Sequence, residues 1–358
     1  MRILMVWFVT AICSVLLSDC GKDPTSADIV TEEDIPALTK ALEDPKADAG
    51  WRGRAAGRLG QTRSVKAIKP LVKAALDEKN PTSVRIVCID ALLEIGDPSV
   101  IPELVKMATD KDAKLRVRVM LALSYFKGKK QEIESTLLAG LKDSDELVRK
   151  EALNSLDKLG ILPPLAELEQ LLNDPSPAIP EMAAVMVYKK REEEGASKII
   201  MKGLENKQVG VLKHMIVAAG EIGLQDAVPK LIELTKRNEM VLREESAKAL
   251  GKLHAMSAVK ALIDLLQDPV VDVAAAAVEA LGKLGGPEVV DNLIQMLEHS
   301  DDNVRMIALK ALVEMKCNDE RFIKRLEYLS AREPHKDIRD LADQTLRELG
   351  LKKDEGGE

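Results

Sequence analysis

The sequence predicts an all-α solenoid, a stack of about ten helical hairpins, and three observations carry that expectation. The first is a fixed period: Gly223, His254, Gly285 and Lys316 follow one another at intervals of 31 residues, and self-similarity at roughly 20–50 residues marks a repeat array. The second is a recurring pair. Eleven residues before each closing position lies Arg85, Arg116, Arg149, Leu212, Arg243, Ala274, Arg305 or Arg339, six arginines in eight places. The residue ahead of each is apolar: Val84, Leu115, Val148, Val211, Leu242, Val273, Val304 and Ile338. The third is amphipathicity at a helical period. Between Val259 and Gly286, Leu262, Leu265 and Leu266 share one helix face, and Val273, Ala276, Ala277, Ala280, Leu281 and Leu284 share another. Asp268-Pro269 separates the two helices, because proline disfavours α geometry in the residue before it. One such pair cannot bury its apolar face alone, whereas stacked neighbours can.

In chain order, the first element is an address. Met1-Arg2 precedes an apolar run from Ile3 to Leu17, then Ser18-Asp19-Cys20-Gly21. This reads as an export signal over residues 1–19, short of the roughly 20 apolar residues that span a bilayer. Leu17-Ser18-Asp19-Cys20 resembles the lipobox of bacterial lipoproteins, in which the cysteine becomes the lipidated first residue. That resemblance implies an exported protein of the cell envelope, anchored through Cys20. With Gly21 next, it implies the outer membrane. Asp19 departs from the small residue the family places before the cut, so an uncleaved apolar anchor and cleavage without lipid stand as alternatives. More than one acyl chain would anchor firmly, at about 0.8 kcal/mol per buried methylene. Residues 20–33 read as a polar tether, residues 34–350 as the solenoid and residues 351–358 as a charged tail.

Composition narrows the partner. The chain carries 52 Lys and Arg against 59 Asp and Glu, a net charge of −7. An acidic chain lacks the basic surface on which nucleic-acid affinity rests. Two Trp, three Tyr and three Phe are too few and too scattered for a base-stacking platform. One stretch runs against the acidic balance: Trp51 to Ala75 holds Arg52, Arg54, Arg58, Arg63, Lys66, Lys69 and Lys73 and no acid. It is either a solvated cap or a patch that attracts anionic headgroups or an acidic partner.

The repeated signature resembles HEAT repeats in the short form of bilin-lyase-like HEAT proteins. Val84-Arg85, Val148-Arg149 and Val304-Arg305 carry it, with Ala91-Leu92, Ala249-Leu250, Ala280-Leu281, Ala311-Leu312 and closing pairs such as Leu59-Gly60 and Leu159-Gly160. Phe126-Lys127, Leu253-His254 and Met315-Lys316 fill the closing phase elsewhere, and Ile179-Pro180 makes the fifth unit the most divergent. The resemblance implies that the repeat arginines pair with acids of their own loop or a neighbouring unit, with Asp145, Asp302 and Asp337 as candidates. A row of arginines binding an anion is the alternative. The resemblance also implies a concave surface lined by the outward side of each second helix.

With the Val-Arg valine as position 1, positions 4, 5, 8, 9 and 12 are expected inward and positions 3, 7, 10 and 11 outward. Units two and three place Ile86, Leu93, Val117, Leu121 and Tyr125 at outward positions, an apolar patch that marks a partner-binding site or a more deeply buried helix.

Chemistry finds less support. The four histidines, at 214, 254, 299 and 335, fall in different units, and none is followed by Glu. Deoxyhypusine hydroxylase, a HEAT-like enzyme, holds its diiron centre with His-Glu pairs, so that activity does not transfer. No metal-ligand, Walker or dinucleotide motif is present, and no cofactor is expected. Cys88 and Cys317 lie among apolar helical neighbours and are expected to be packed rather than reactive. The expectation is therefore a non-enzymatic scaffold that binds a protein partner at the envelope. A bilin-lyase-like or hydroxylase-like protein and a structural spacer are the rivals. Cys20→Ser should release the protein from membranes or leave it unprocessed, and mass spectrometry finding an unmodified Cys20 in the wild type would remove the anchor.

Overall fold

The computed structural model describes residues 30–352; the apolar leader, Cys20, most of the tether and the charged tail lie outside the described residues. Twenty α-helices form ten hairpins, and no strand occurs among the described residues. The chain divides into two compact units, residues 1–136 and 137–358. The first holds α1 (Ile35–Glu43), α2 (Ala49–Gln61), α3 (Ile68–Leu76), α4 (Thr82–Ile95), α5 (Ile101–Met107) and α6 (Ala113–Leu123); the division falls within α7 (Lys130–Gly140). The second continues with α8 (Glu146–Leu159), α9 (Leu165–Leu171), α10 (Ala178–Lys189), α11 (Ala196–Gly203), α12 (Val209–Glu221), α13 (Val228–Leu234) and α14 (Met240–Lys252). It ends with α15 (Val259–Leu265), α16 (Val271–Leu284), α17 (Pro287–Met296), α18 (Asp302–Glu314), α19 (Glu320–Arg332) and α20 (Lys336–Glu348). Even-numbered helices are the second helices of their hairpins.

Local chemistry sets the boundaries. Asp48, Asp145 and Asp301 cap α2, α8 and α18, each accepting a backbone N–H of the first turn at 2.8–3.0 Å. Proline opens α5, α13 and α17, where its missing N–H has no intrahelical partner to lose. Pro180 likewise sits in the first turn of α10, so the divergent fifth unit still forms its helix. Most second helices then end in a left-handed residue. Glycine serves at Gly96 and Gly160, whereas His254 (φ 50°) and Lys316 (φ 51°) hold the same conformation with a side chain. Lys127 does not; it enters a 3-10 turn instead.

The core lies between successive hairpins. Leu59, Leu71, Leu92, Leu104 and Leu115 are fully buried in the first unit, and Leu250, Leu281, Leu312, Phe322 and Leu326 in the second. Neighbouring second helices touch through a repeated small-residue contact. A Cβ added to Gly60 would lie 2.7 Å from the Ala91 Cα, one on Gly251 2.8 Å from the Ala280 Cα, and one on Gly282 2.6 Å from the Ala311 Cβ. Each glycine stands at position 10 of its repeat and each alanine at position 8 of the next. The alanines therefore serve the approach between repeats.

This packing revises two expectations. Gly60 is helical and buried, so Leu59-Gly60 is not a closing pair; Arg63 (φ 51°) closes the first unit. The buried stripe takes in position 6 (Ile89, Met120, Leu153, Ala247), whereas position 4 (Val87, Arg118, Glu151, Glu245) stays half-exposed. Second helices are covered by both their own partner helix and the neighbouring second helix, which rotates the buried arc. Cys88 is buried, and burial pushes its thiol up to about 12, but Cys317 is half-exposed rather than packed away. Gly251→Val should lower stability by about 1–3 kcal/mol through overpacking. His254→Gly, three residues on, should raise it by up to about 1 kcal/mol through loss of left-handed strain. Denaturant titration followed by circular dichroism measures both.

Candidate functional site

The repeat arginines form the most regular polar feature. Arg149 donates from Nε and Nη2 to the two oxygens of Asp174 at 2.7 and 2.8 Å, and from Nη1 to the carbonyls of Asp143 and Ser144 at 2.9 and 3.2 Å. Arg243 repeats this with Asp268 at 2.6 and 2.9 Å and with the carbonyls of Arg237 and Asn238. Arg305 does so with Glu333 and the carbonyls of His299 and Ser300. Arg85 pairs with Asp110 and reaches the Ala75 carbonyl at 2.7 Å. Arg116 and Arg339 hold their own loops, through the carbonyls of Asp110 and Lys111 and of Glu333 and Pro334.

Each complete bridge therefore joins the arginine's own interhelix loop to the loop of the next hairpin. The expected partners do other work: Asp145 caps α8, Asp302 stands 3.4 Å from the His335 Nε2, and Asp337 lies in the first turn of α20. The acid lies 25 residues downstream instead, or 28 in the ninth hairpin. It is held in place because the same carboxylate accepts a backbone N–H two residues on, Ser176 for Asp174 and Val270 for Asp268, both at 2.9 Å. With the guanidinium fork engaged, little of it is left for an outside anion.

The basic stretch is broken up by the fold. Arg52 is the first arginine of this series, donating to the Leu42 carbonyl at 2.9 Å and to Asn80. Lys66 and Lys73 pair with Glu32 and Glu43 at 2.6 and 2.7 Å. Arg54, Arg58, Arg63 and Lys69 remain outside those contacts. The run from Lys189 to Glu194 also makes contacts between hairpins. Lys189 reaches Asp157 of the fourth hairpin, and Arg191 reaches Glu221 of the sixth at 2.9 Å while lying 4.4 Å from the Tyr188 ring centre. The Tyr188 hydroxyl donates to the same Glu221 at 2.9 Å. Sequence reading missed this tie, whose signal is the fifth unit's loss of both its arginine and its closing glycine.

The apolar outward residues lie side by side on two neighbouring second helices of the first compact unit. Ile86 and Leu93 on α4 and Val117 and Leu121 on α6 are half-buried, and Tyr125, just past α6, is 53% exposed. Asp90 and Arg118 pair across the seam, both 28% exposed. Burial raises the Asp90 carboxyl above the ordinary range, and the Arg118 hydrogen bond only partly offsets it. The result is an apolar band with one internally satisfied charge pair at its centre.

No group of three or more His, Cys, Asp or Glu among the described residues is placed to hold a metal ion. His214 is half-buried on α12, and burial lowers its basicity. No described helix is long and apolar enough to cross a membrane.

These features define a helical-repeat protein, and the family follows from the sequence match. The family model for HEAT repeats matches residues 35–124, 101–189, 165–251, 196–282 and 259–347, and the chain belongs to the HEAT-repeat family. Deoxyhypusine hydroxylase from Saccharomyces cerevisiae is 30% identical over 188 residues, 51% of this chain and 55% of that protein. The chain thus spans about half the length of the curated relative it matches. Among solved structures, an engineered protein superposes with a TM-score of 0.55 at 19% identity, covering 88% of this chain and 99% of the other. Kap95p, from its complex with RanGDP, gives 0.53 at 14% identity over 88% and 50%. Both likenesses concern the fold.

The arginine bridges make a pH prediction. The Arg243 hydrogen bond outweighs burial and holds the Asp268 carboxyl below its ordinary range. The bridge is therefore worth its full amount above the unfolded-state value near about 3.9 and is lost as pH falls through the lower folded value. Asp268→Asn should cost about 2 kcal/mol at pH 7 and flatten the fall of stability below about pH 4, as read by urea titration across pH.

Proposed function

We propose that this chain is a non-enzymatic scaffold that binds another protein through the α4–α6 surface and is held at the cell envelope through Cys20. The observation that carries the reading is the side-by-side placement of Ile86, Leu93, Val117, Leu121 and Tyr125, partly exposed on neighbouring second helices. Contiguous apolar surface on a folded protein is an interaction site more often than an accident, and an exposed tyrosine is a common anchor at interfaces. The Asp90–Arg118 pair at its centre offers a partner both a donor and an acceptor without leaving a lone charge to desolvate. The envelope part of the reading is supported by the apolar run and by Cys20 before Gly21. A relationship to bilin-lyase-like HEAT proteins is supported by the short repeat period and the Val-Arg pairs.

The hydroxylase relative favours one rival, an oxidising diiron enzyme. The residues here do not fit that centre, since no histidine precedes a glutamate and no described carboxylate–histidine cluster stands ready to hold metal. Stoichiometric iron in the purified protein would overturn the scaffold reading.

Val117→Asp with Leu121→Asp is the direct test. Both sites keep part of their surface in water, so the melting temperature should fall by only a few degrees, while capture of the envelope partner is lost. Collapse of the melting temperature would assign these residues to the core instead.

A further inference from the structure

In the interior hairpins, positions 1 and 8 of the second helix turn toward the preceding repeat and are buried: Val84 and Ala91, Leu242 and Ala249, Val273 and Ala280, Val304 and Ala311. In the first hairpin no described repeat precedes α2, and the same two positions read Trp51 and Arg58, with Arg54 beside them at position 4. Trp51 is 45% exposed, with the Arg54 guanidinium 5.3 Å from its ring centre. Arg58 is half-buried, and its Nε is shielded from solvent without a hydrogen-bond partner. No acid lies anywhere in α2. The nearest carboxylate in sequence, Asp48, is occupied by the Trp51 backbone N–H at 2.8 Å, and Glu32 and Glu43 are taken by Lys66 and Lys73.

We propose that this end of the stack docks on the headgroup layer of an anionic phospholipid membrane. The inference rests on the anchoring reading above. An indole beside two guanidiniums matches headgroup depth, where an aromatic ring sits half in hydrocarbon and its neighbours meet phosphate. Fourteen residues separate Cys20 from α1, and a chain of that length reaches at most about 50 Å even when fully extended. A chain anchored at Cys20 therefore keeps α2 within reach of the surface. Docking turns the first repeat to the membrane and leaves the α4–α6 surface to a protein.

The test uses the full chain carrying Trp7→Phe, so that Trp51 is the one tryptophan left, with vesicles of phosphatidylcholine alone or with a third phosphatidylglycerol. Trp51 emission should shift to the blue only with the anionic vesicles, and the shift should fade as ionic strength rises. Arg54→Glu with Arg58→Glu should weaken that response at least thirtyfold, at the usual contribution of each basic residue near an anionic surface. Arg54→Gln with Arg58→Gln gives a milder version if circular dichroism shows the reversal misfolded. Equal emission with both vesicle types, an undiminished shift in the double variant, or a shift produced only by an acidic protein would overturn the proposal. Co-sedimentation with the neutral vesicles reads the Cys20 anchor separately, so the two ideas fail in different lanes.

Discussion

The bridged repeats depend on one guanidinium that reads two loops at once. An α-hairpin ends its first helix with open carbonyls and begins its second with open N–H groups, and these ends face each other across a short turn. The repeat arginine covers carbonyls of its own turn with one nitrogen and ties the next turn with two others. The acid it meets is itself pinned by a backbone N–H of the next loop. One side chain thereby sets the spacing between hairpins at the edge of the stack. The glycine-on-alanine contacts set it further along, because Gly251 and Ala280 approach too closely for any side chain to stand between them. Apolar burial supplies the drive for stacking, and these two devices select a single register for it.

The fold was legible because its signals are local. A 31-residue period, an arginine after a valine and leucines at helical spacing can be read without knowing what touches what. Contacts between repeats were harder. Asp110, Asp174 and Asp268 each follow their arginine by 25 residues, a regularity present in the sequence but hidden because nearer acids offered themselves as partners. Arg52 was concealed by Leu59-Gly60, which imitates a closing pair and shifts the first repeat by three residues; its glycine serves close packing instead. Position 6 lost its place to position 4 because a single-helix wheel assumes one buried side, whereas a second helix has two. The apolar patch was legible as residue types. That Asp90 and Arg118 meet at its centre depended on how α4 lies against α6.

The surface on α4 and α6 and the free face of α2 follow from the same geometry. Stacking consumes the stripe that meets the previous repeat and the stripe that meets the next. What remains of each second helix is the narrow outward band. Within the first compact unit that band carries glycines on α2, aliphatic residues on α4 and α6, and a tyrosine at its edge. Because the repeats are alike in backbone, difference in function between one stretch and another has to be written in this band. The first and last described repeats add a second place for variation, since among the described residues each has a neighbouring repeat on one side only.

The arginine series is interrupted where Pro180, Leu212 and Ala274 take the guanidinium's place. At the Leu212 position the residue 25 places on is Arg237, which turns to Glu239 at 2.8 Å, so both halves of that bridge are absent. The second compact unit is therefore mechanically graded. Junctions carrying a bidentate bridge resist shear between hairpins through it. The fifth and sixth hairpins use other ties, Tyr188 and Arg191 on Glu221 and Lys230 on Glu205, and the eighth, with Ala274 in the arginine's place, meets the ninth through apolar contact. Under load, strain would concentrate first at the joint after the eighth hairpin, where no such tie spans the contact among the described residues. The second unit then yields at one hinge before it deforms as a whole.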